Sequence, residues 1–469
     1  MIATLISTKN QQLSTFMSTR LDFLNTPVPQ LIRKLALPTS IGFFFNTMFN
    51  VVDTWFAGMI STTAQAGMAL SFPVFFVILA MGMGIGTGTT ALIANALGKR
   101  DEESAKLYAR QALTFGFILS VFLSIAGYLL VPYLFRFMNA EGEYLRLALD
   151  YMNVILLSSV AFLMNGILNG ILSSRGDAVS FRNMLIAGAI LNVFFDPVLM
   201  NGWFGFPEMG IAGIALSTVI IQFGGTLYLG YRVRRTELFA MIEWRLFLPI
   251  KSYLNEIARQ GFPASFNMFT IAIGIFIITW FISIFGEDGV AAYGIATRIE
   301  QIALLPTIGF NVAALTIAGN NFGAGKIDRV TEAYRKNLYY GFIIMTIGMV
   351  WIFLFPNFLM KLFTTNPAVI SIGAEYLRIA TLVFNAYLLL NVSVAIMQGI
   401  KRPMFAVWIG IYRQIVMPLS LLGILVHALG FGLPAIWWGV VVINWTAALI
   451  AVFFTLKKLR KIHGNGEVG

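Results

Sequence analysis

The sequence predicts an all-α integral membrane protein with twelve transmembrane helices arranged as two parallel six-helix lobes. Three observations lead to this fold class: long apolar runs, an alternation of basic and non-basic connections, and an internal repeat. Of the 469 residues, 58% are hydrophobic and only 11% are charged, and the mean hydropathy is +0.80. A soluble domain of this length needs more surface charge, so the composition indicates lipid as the main solvent.

Apolar runs of about 20 residues, each long enough to cross a hydrocarbon core of about 30 Å, recur almost to the C-terminus. They do not alternate apolar and polar residues as the strands of an outer-membrane barrel do, so each run predicts a helix. The twelve predicted spans cover residues 34–60, 67–96, 106–137, 146–170, 179–203, 209–232, 253–285, 290–321, 331–362, 371–398, 403–429 and 434–457.

Basic residues set the predicted orientation. Most Lys and Arg follow the even-numbered spans, as in Lys99-Arg100 after span 2 and Lys401-Arg402 after span 10. Because basic residues mark the cytoplasmic face, we expect a multi-pass protein of the bacterial inner membrane with both termini in the cytoplasm. The net charge of +11 has this cause, so no nucleic-acid partner is expected. The polar N-terminal residues are interpreted as a retained cytoplasmic tail, without the features of a signal peptide.

The chain also contains an internal repeat. Pro38 and Thr54-Trp55-Phe56 of span 1 recur 225 residues later as Pro263 and Thr279-Trp280-Phe281 of span 7. The end of span 2, Gly98-Lys99, is matched with Gly325-Lys326 at an offset of 227. Six spans per copy give two copies of the same orientation, an architecture that places the substrate path between the lobes.

The repeat divides the chain into five predicted parts. They are an N-terminal tail (1–33), an N lobe (34–232), a linker (233–252), a C lobe (253–457) and a C-terminal tail (458–469).

Two carboxylates lie clearly at membrane depth, Asp53 in span 1 and Asp196 in span 5. Placing an ionised side chain at that depth costs at least about 2.5 kcal/mol of insertion free energy. Burial favours the neutral form of a carboxyl group, which suits a proton carrier. Asn192 lies one helical turn from Asp196 and adds a polar neighbour on the same face of the helix.

Polar residues on neighbouring helices of the same lobe are predicted to support this site or to contact substrate. They are Asn46, Asn50, Tyr151, Asn165 and Asn169. The alternative for any single Asn is that it only joins two helices through a hydrogen bond. Pro38 and Pro197 are predicted hinges, because a proline frees a backbone carbonyl one turn back.

The second lobe lacks these acids, and Ile278 stands at the position equivalent to Asp53. Its ionisable candidates are Arg298 and Glu300 in span 8 and Arg413 in span 11. Arg298 and Glu300 point to opposite sides of a helix, so Glu300 is expected to pair with Arg413. The sequence leaves two alternatives for this pair: a structural ion pair and a role in substrate binding.

The sequence offers no enzymatic constellation. It has two histidines and no cysteine, which predicts neither a metal site nor a His-based triad, and it contains no Walker A motif. The glycine-rich run Gly82 to Gly88 lies inside span 2 and indicates close helix packing, not a phosphate loop. We therefore expect a non-enzymatic protein with no cofactor beyond a coupling ion, H⁺ or Na⁺.

Over nearly its whole length the chain resembles the multidrug and toxic compound extrusion (MATE) family. The features that carry the resemblance are, in order, Pro38 and Asp53, the segment ALGKRDEESAKLYARQAL after span 2, Tyr151, LSSRGD followed by Asn192 and Asp196-Pro197, and NNFGAGK after span 8. The resemblance implies two lobes that work as a rocker-switch, and export of amphipathic, often cationic drugs in exchange for H⁺ or Na⁺. It also implies small-molecule drugs and membrane lipid as partners, and we expect a monomer.

Residue by residue, Asp53, Asn192 and Asp196 match the proton-linked cluster of the DinF-like branch, with Tyr151 and Asn169 at its supporting positions. The sodium-coupled NorM-like branch carries acids in spans 7 and 10, where this chain has none at depth. The resemblance therefore favours H⁺ coupling through the first lobe. The alternative function is a lipid-linked oligosaccharide or metabolite exporter (flippase) from a related superfamily branch.

Overall fold

The computed structural model describes residues 20–239 and 244–465, and this part of the chain is almost entirely helical. The N lobe contains α1 (Val28–Ile60), α2 (Thr62–Gly98), α3 (Glu102–Phe137), α4 (Gly142–Leu157 and Ser159–Ser174), α5 (Val179–Asn201) and α6 (Gly210–Arg234). The C lobe contains α7 (Lys251–Ser283), α8 (Glu287–Gly323), α9 (Ile327–Leu354), α10 (Pro367–Ala380 and Phe384–Gly399), α11 (Met404–Ala428) and α12 (Leu433–Asn465). The predicted twelve-span fold is confirmed.

Several helices extend beyond the predicted spans. Helix α1 begins at Val28, inside the predicted N-terminal tail, and Pro29 in its first turn removes a backbone N–H that would have no helical partner. Helix α12 continues to Asn465, inside the predicted C-terminal tail. Helix α3 begins after Asp101, whose carboxylate caps it by accepting from the Ser104 N–H. Hydrogen bonds from Ser104 hold the pKa of the Asp101 carboxyl below its usual range.

The equivalent helices α4 and α10 are both interrupted. The two segments of α4 meet at Ser158 with a bend of 46°, and α10 is interrupted by a tight turn at Thr381–Val383. The two breaks occupy equivalent positions of the repeat. In the N lobe, Ser124 of α3 donates to the Leu156 carbonyl at 2.7 Å and so satisfies an acceptor beside the break. The repeat therefore preserves this irregularity as well as the regular helices.

The structure corrects the match between α2 and α8. The two helices end at Gly98 and Gly323, and each is followed two residues later by a left-handed residue, Arg100 (φ 61°) or Gly325 (φ 73°). The correct offset is therefore 225, not 227. The sequence match was wrong because the Gly-Lys pair recurs two residues out of register with the helix end.

The lobes meet near the face of the bundle where α1 begins and α12 ends, called the terminal face below. Glycines allow the helices to approach here: a Cβ on Gly88 of α2 would lie 2.7 Å from the backbone nitrogen of Gly261 in α7. Within the N lobe, a Cβ on Gly86 would lie 2.4 Å from the Gly166 carbonyl oxygen of α4. The glycine-rich run of α2 therefore serves helix packing, as predicted.

Two equivalent hydrogen bonds are among those that tie the lobes together at this face, and we call this pair the asparagine latch. Asn95 Nδ2 of α2 donates to the Gly399 carbonyl of α10 at 2.8 Å. Asn320 Nδ2 of α8 donates to the Ser174 carbonyl of α4 at 3.0 Å. The two donors, Asn95 and Asn320, are 225 residues apart, and so are the two acceptors, Ser174 and Gly399. The latch therefore consists of two equivalent bonds, one donated by each lobe to the other.

Candidate functional site

The two membrane-embedded acids of the N lobe share one hydrogen-bond donor. Asn192 Nδ2 of α5 donates to Asp53 Oδ1 of α1 at 2.7 Å and to Asp196 Oδ1 at 3.0 Å. Asp53 is 3% exposed, and the other two side chains are fully buried. Two carboxylates this close in a buried site repel each other when both are ionised, so they bind protons as a pair. The structure thus brings together the three residues predicted to form the coupling site.

Helix geometry explains how α5 supplies two members of the cluster. Asn192 and Asp196 are one turn apart and project from the same face of α5, where it packs on α1. Pro197 follows directly and leaves the Val193 carbonyl without its helical donor. Both α5 and α1, with Pro38, nevertheless run as continuous helices. The hinge roles of the two prolines remain predictions.

Helix α6 completes the cluster with residues that sequence reasoning missed. Thr218 Oγ1 donates to Asp53 Oδ2 at 3.3 Å, and the neighbouring Ser217 is fully buried. The missed signal was the pair of hydroxyl residues in the middle of span 6, which lie about one turn from Gln222. Asp53 Oδ1 and Oδ2 and Asp196 Oδ1 therefore all accept hydrogen bonds from the protein.

Three buried oxygen atoms of the cluster have no hydrogen-bond partner among the described residues. They are Asp196 Oδ2, Asn192 Oδ1 and Ser217 Oγ. The amide oxygen of Asn192 only accepts, and Asp196 Oδ2 can donate only when its carboxyl group is protonated. A proton on Asp196 would turn one of these acceptors into a donor, which is the chemistry that a proton-coupling site requires.

The predicted supporting residues divide into three groups. Tyr151 of α4 is buried and lies within electrostatic range of both carboxylates. Asn165 forms its hydrogen bonds outside the carboxylate cluster: it donates to Gln222 Oε1 at 2.8 Å and accepts from Thr226 at 2.9 Å. Asn169 accepts from Ser173 on its own helix at 3.1 Å.

The polar stripe of α1 does not form a single network with Asp53. Asn50 is exposed and donates to the Asn46 carbonyl at 2.8 Å, while Asp53 turns inward toward α5 and α6. Asn46 is half-buried. The described hydrogen bonds do not join either Asn to the carboxylates, so the structure brings only Asp53 of this stripe into the cluster.

The C lobe holds a different polar cluster. Glu300 of α8 is 5% exposed and accepts from the hydroxyl of Tyr376, the repeat counterpart of Tyr151, at 2.8 Å. Arg413 donates to Asn444 at 3.3 Å and lies over the Tyr387 ring at 5.2 Å.

The direct Glu300–Arg413 ion pair expected from the sequence does not form in the part of the chain that the structure describes. Tyr387 explains this, because it lies beside both the carboxylate and the guanidinium group. Arg298 is exposed on another side of α8. Clusters of three or more His, Cys, Asp or Glu residues are absent from the described ranges.

A family model described as MatE matches residues 38–198 and 263–422. The chain belongs to the MatE family. The two matched segments begin at Pro38 and Pro263 and lie one in each lobe, in agreement with the repeat. Membership confirms the resemblance to MATE transporters and makes the chain a multi-pass membrane transporter of a multidrug efflux family.

Curated relatives cover nearly the whole chain. A Thermotoga maritima protein named "Probable multidrug resistance protein NorM" is 29% identical over 439 residues, 91% of this chain and 92% of that protein. "Multidrug export protein MepA" of Staphylococcus aureus strain N315 is 24% identical over 92% of this chain and 94% of its own length. A Shewanella oneidensis protein named "FAD transporter" is 25% identical over 87% of this chain and 90% of its own.

Solved MATE structures share the fold. One, described as the outward-facing conformation of a multidrug resistance MATE family transporter of the MOP superfamily, has a TM-score of 0.90 and 28% identity, and covers 96% of this chain and 100% of that one. A MOP superfamily transporter from Pyrococcus furiosus has a TM-score of 0.89 and 27% identity over 95% of this chain and 99% of its own. Its description states that a reversed polarity of the binding pocket suggests a different function.

Proposed function

We propose that this MatE transporter exports amphipathic, cationic small molecules in exchange for protons, with Asp53, Asn192 and Asp196 as the coupling site. The protein would lie in the bacterial inner membrane with the terminal face toward the cytoplasm. One observation carries the proposal: a single buried amide nitrogen donates to two carboxylates on different helices. This geometry links the protonation of either acid to the packing of α1 on α5.

The hydrogen-bond pattern favours H⁺ over Na⁺ as the coupling ion. Hard cations take oxygen ligands, but Asn192 N–H groups and the Thr218 hydroxyl already donate to three of the four carboxylate oxygens. A sodium ion would have to displace these donors. A proton needs only Asp196 Oδ2, which has a free lone pair, and a nearby acceptor.

Transport would follow the rocker-switch mechanism, in which the lobes open alternately to each side. Close glycine contacts and the asparagine latch hold the terminal face closed in this structure. Protonation of the N-lobe pair would remove its charge and tighten α1 and α5 around Asn192. The lobe would then release a bound drug, with Pro38 and Pro197 as points of bending.

The substrate cavity would include the polar residues that lie outside the carboxylate cluster. Asn50 is exposed on α1, Asn46 is half-buried there, and Tyr151 lies within electrostatic range of both acids. An ionised Asp53–Asp196 pair would attract a cationic drug into this lobe, which is why drug and proton compete.

A second candidate function, export of an anionic metabolite, is favoured by the C lobe. Arg298 is exposed in the membrane-spanning part of α8, and Arg413 is half-buried beside Tyr387. Cationic groups at membrane depth usually face a water-filled path. The similarity to a protein named FAD transporter points in the same direction.

Uptake into inverted membrane vesicles distinguishes these proposals. A pH gradient (inside acidic) and a Na⁺ gradient are imposed separately, with ethidium as the cationic probe and FAD as the anionic one. We expect ethidium uptake driven by the pH gradient alone. Asp53→Asn should abolish it and Asp196→Asn should reduce it strongly, while the exposed same-lobe control Asp150→Asn should leave it unchanged.

Two results would overturn the proposal. Full uptake by both Asp53→Asn and Asp196→Asn would place the coupling site elsewhere. Uptake of FAD without uptake of ethidium would replace drug export with anionic metabolite export.

A further inference from the structure

The C lobe contains a cavity that transport does not explain. It has a volume of about 850 Å³ and lies at the terminal face, between α7, the turn from α10 to α11, and the end of α12. Four basic side chains line it, together with one acid, Glu256. The basic residues are Arg259, Lys401, Arg402 and Lys458.

The deeper wall of the cavity is apolar and open to the side. Trp408 of α11 is 66% exposed, and Phe454 of α12 is 45% exposed and stacks on Phe405 at 4.9 Å. Exposed aromatic side chains on transmembrane helices face lipid, and aromatic residues concentrate where the hydrocarbon core meets the headgroups. The cavity therefore joins a basic pocket at the membrane surface to a hydrophobic groove in the membrane.

The basic residues of the cavity outnumber its one acid, Glu256, which lies within electrostatic range of Lys401. None of the four belongs to an ion pair within residues 20–239 and 244–465. Glu256 is engaged by the other lobe, because the Tyr108 hydroxyl of α3 donates to its carboxylate at 2.6 Å.

The equivalent turn of the N lobe provides the contrast. There Arg175 pairs with Glu237, and Arg232 pairs with Asp177 at 3.1 Å. The N lobe thus neutralises its basic turn internally, whereas the C lobe leaves its basic turn available to an external anion.

The backbone of Lys401 supports the same conclusion. Lys401 adopts a left-handed conformation (φ 58°), and its repeat counterpart Gly176 does the same at φ 94°. The turns match in detail: Asp177 N donates to Leu172 O at 3.0 Å, and Arg402 N donates to Met397 O at 2.8 Å. Glycine adopts this conformation without strain and lysine does not. The C lobe therefore carries a lysine side chain, which lines the cavity, at a position where glycine would fit.

We propose that this cavity binds an anionic phospholipid, with the headgroup phosphate among Arg259, Lys401 and Arg402 and an acyl chain along Trp408 and Phe454. Basic pockets between helices at the cytoplasmic side are suited to such headgroups. The apolar wall supplies the contact that a free phosphate ion could not use. The site is separate from the N-lobe acids, so it is independent of the coupling ion.

Trp408 provides the test, because brominated acyl chains quench tryptophan at short range. The purified full-length chain is reconstituted into phosphatidylcholine vesicles with increasing fractions of brominated phosphatidylglycerol or brominated phosphatidylcholine. The Trp408→Phe variant gives the signal of the other tryptophans, which is subtracted. We expect the quenching of Trp408 to show an affinity for phosphatidylglycerol about fivefold or more above that for phosphatidylcholine, since each basic residue near the headgroup is worth about 1 kcal/mol.

Two matched double variants distinguish lipid binding in this cavity from a general effect of surface charge. The double variant Lys401→Gln/Arg402→Gln should reduce the ratio of the two lipid affinities to about one. Arg33→Gln/Lys34→Gln removes the same charge from exposed positions of α1 near the same face and should leave the preference intact. Equal quenching by both lipids, or equal loss in both double variants, would overturn the proposal. Relief of quenching by inorganic phosphate at constant ionic strength would also overturn it, in favour of a soluble anion.

Discussion

Asn192 has two amide hydrogens on one nitrogen, and the N-lobe site uses them on two different carboxylates. The side chain therefore acts as a bridge between α5 and α1, and neither acid can change its charge without changing the strength of that bridge. Hydrogen bonds to ionised groups contribute about 1.5–3 kcal/mol each. Loss of charge on one carboxyl group thus shifts the balance of forces within the whole lobe.

Substitution of the bridging residue should uncouple the pair. Asn192→Ala removes the donor from both acids, and we expect proton-driven ethidium uptake to fall at least about tenfold, because each bond to a charged group is worth about 1.5 kcal/mol or more. Uptake into inverted vesicles measures this effect. The control Asn165→Ala removes a comparable buried amide that bonds to Gln222 and Thr226 in another layer, and most uptake should remain. Equal losses in the two variants would show that Asn192 only stabilises the fold.

The sequence predicted part of the N-lobe site. The spacing of Asn192 and Asp196 placed them on one helical face, and their depth in apolar spans marked both acids. The contact from Asp53 depends on how α1 packs against α5, which periodicity does not contain, and only the family resemblance suggested it. The contribution of Thr218 was missed because a single hydroxyl in a helix usually bonds to its own backbone.

Helix ends, more than helix middles, carry the contacts that close the terminal face. Asn95 and Asn320 stand one turn before the ends of α2 and α8, and each reaches a carbonyl at the end of a helix in the other lobe. Gly98 and Gly323 lie beside them, where no side chain would fit: a Cβ on Gly98 would meet the Asn320 carbonyl oxygen. The same four positions therefore provide both the close approach and the bonds.

Removal of the latch should open the terminal face more often. Each bond contributes about 1 kcal/mol, so Asn95→Ala/Asn320→Ala should raise the opening equilibrium constant about 30-fold. The reporter is Ser265→Cys, which is fully buried against α2 in a chain without native cysteine. Its labelling rate with a thiol reagent should rise accordingly. Asn337→Ala removes a buried amide whose hydrogen bond, in the part of the chain that the structure describes, goes to the Ala333 carbonyl of its own helix, and it should leave the rate unchanged. An unchanged rate in the double variant would exclude the latch as a gate.

Element boundaries show what hydropathy can and cannot predict. All twelve spans were visible as apolar runs, but the amphipathic ends of α1 and α12 were assigned to tails because their charged residues end the apolar window. The break at Ser158 was not predicted, since it interrupts an apolar run without Pro or Gly. Asn320 opens the recognised NNFGAGK motif and Asn95 directly precedes the other motif, yet the offset of 227 placed Asn95 opposite Phe322 and concealed their equivalence.

Across the whole molecule, two lobes with the same helix plan have diverged in chemistry. The N lobe has a carboxylate pair around Asn192, and the C lobe has tyrosines around Glu300 with Arg413 nearby. Repeats explain the symmetric parts, such as the latch and the helix breaks. The asymmetric parts are where we propose that function resides, with proton coupling in one lobe and a bound anionic lipid at the edge of the other.

We propose that protons and drug exclude each other at the Asp53–Asp196 pair. Ethidium affinity of the purified protein, measured by fluorescence anisotropy from neutral to acidic pH, tests it most directly. The free pair binds more protons than the drug-bound pair, so linkage requires affinity to fall as the pH is lowered, by up to about tenfold per pH unit for each proton displaced. In Asp53→Asn/Asp196→Asn the affinity should be nearly independent of pH. An affinity of the unmodified protein that stays flat over the same range would contradict proton–drug competition at this site.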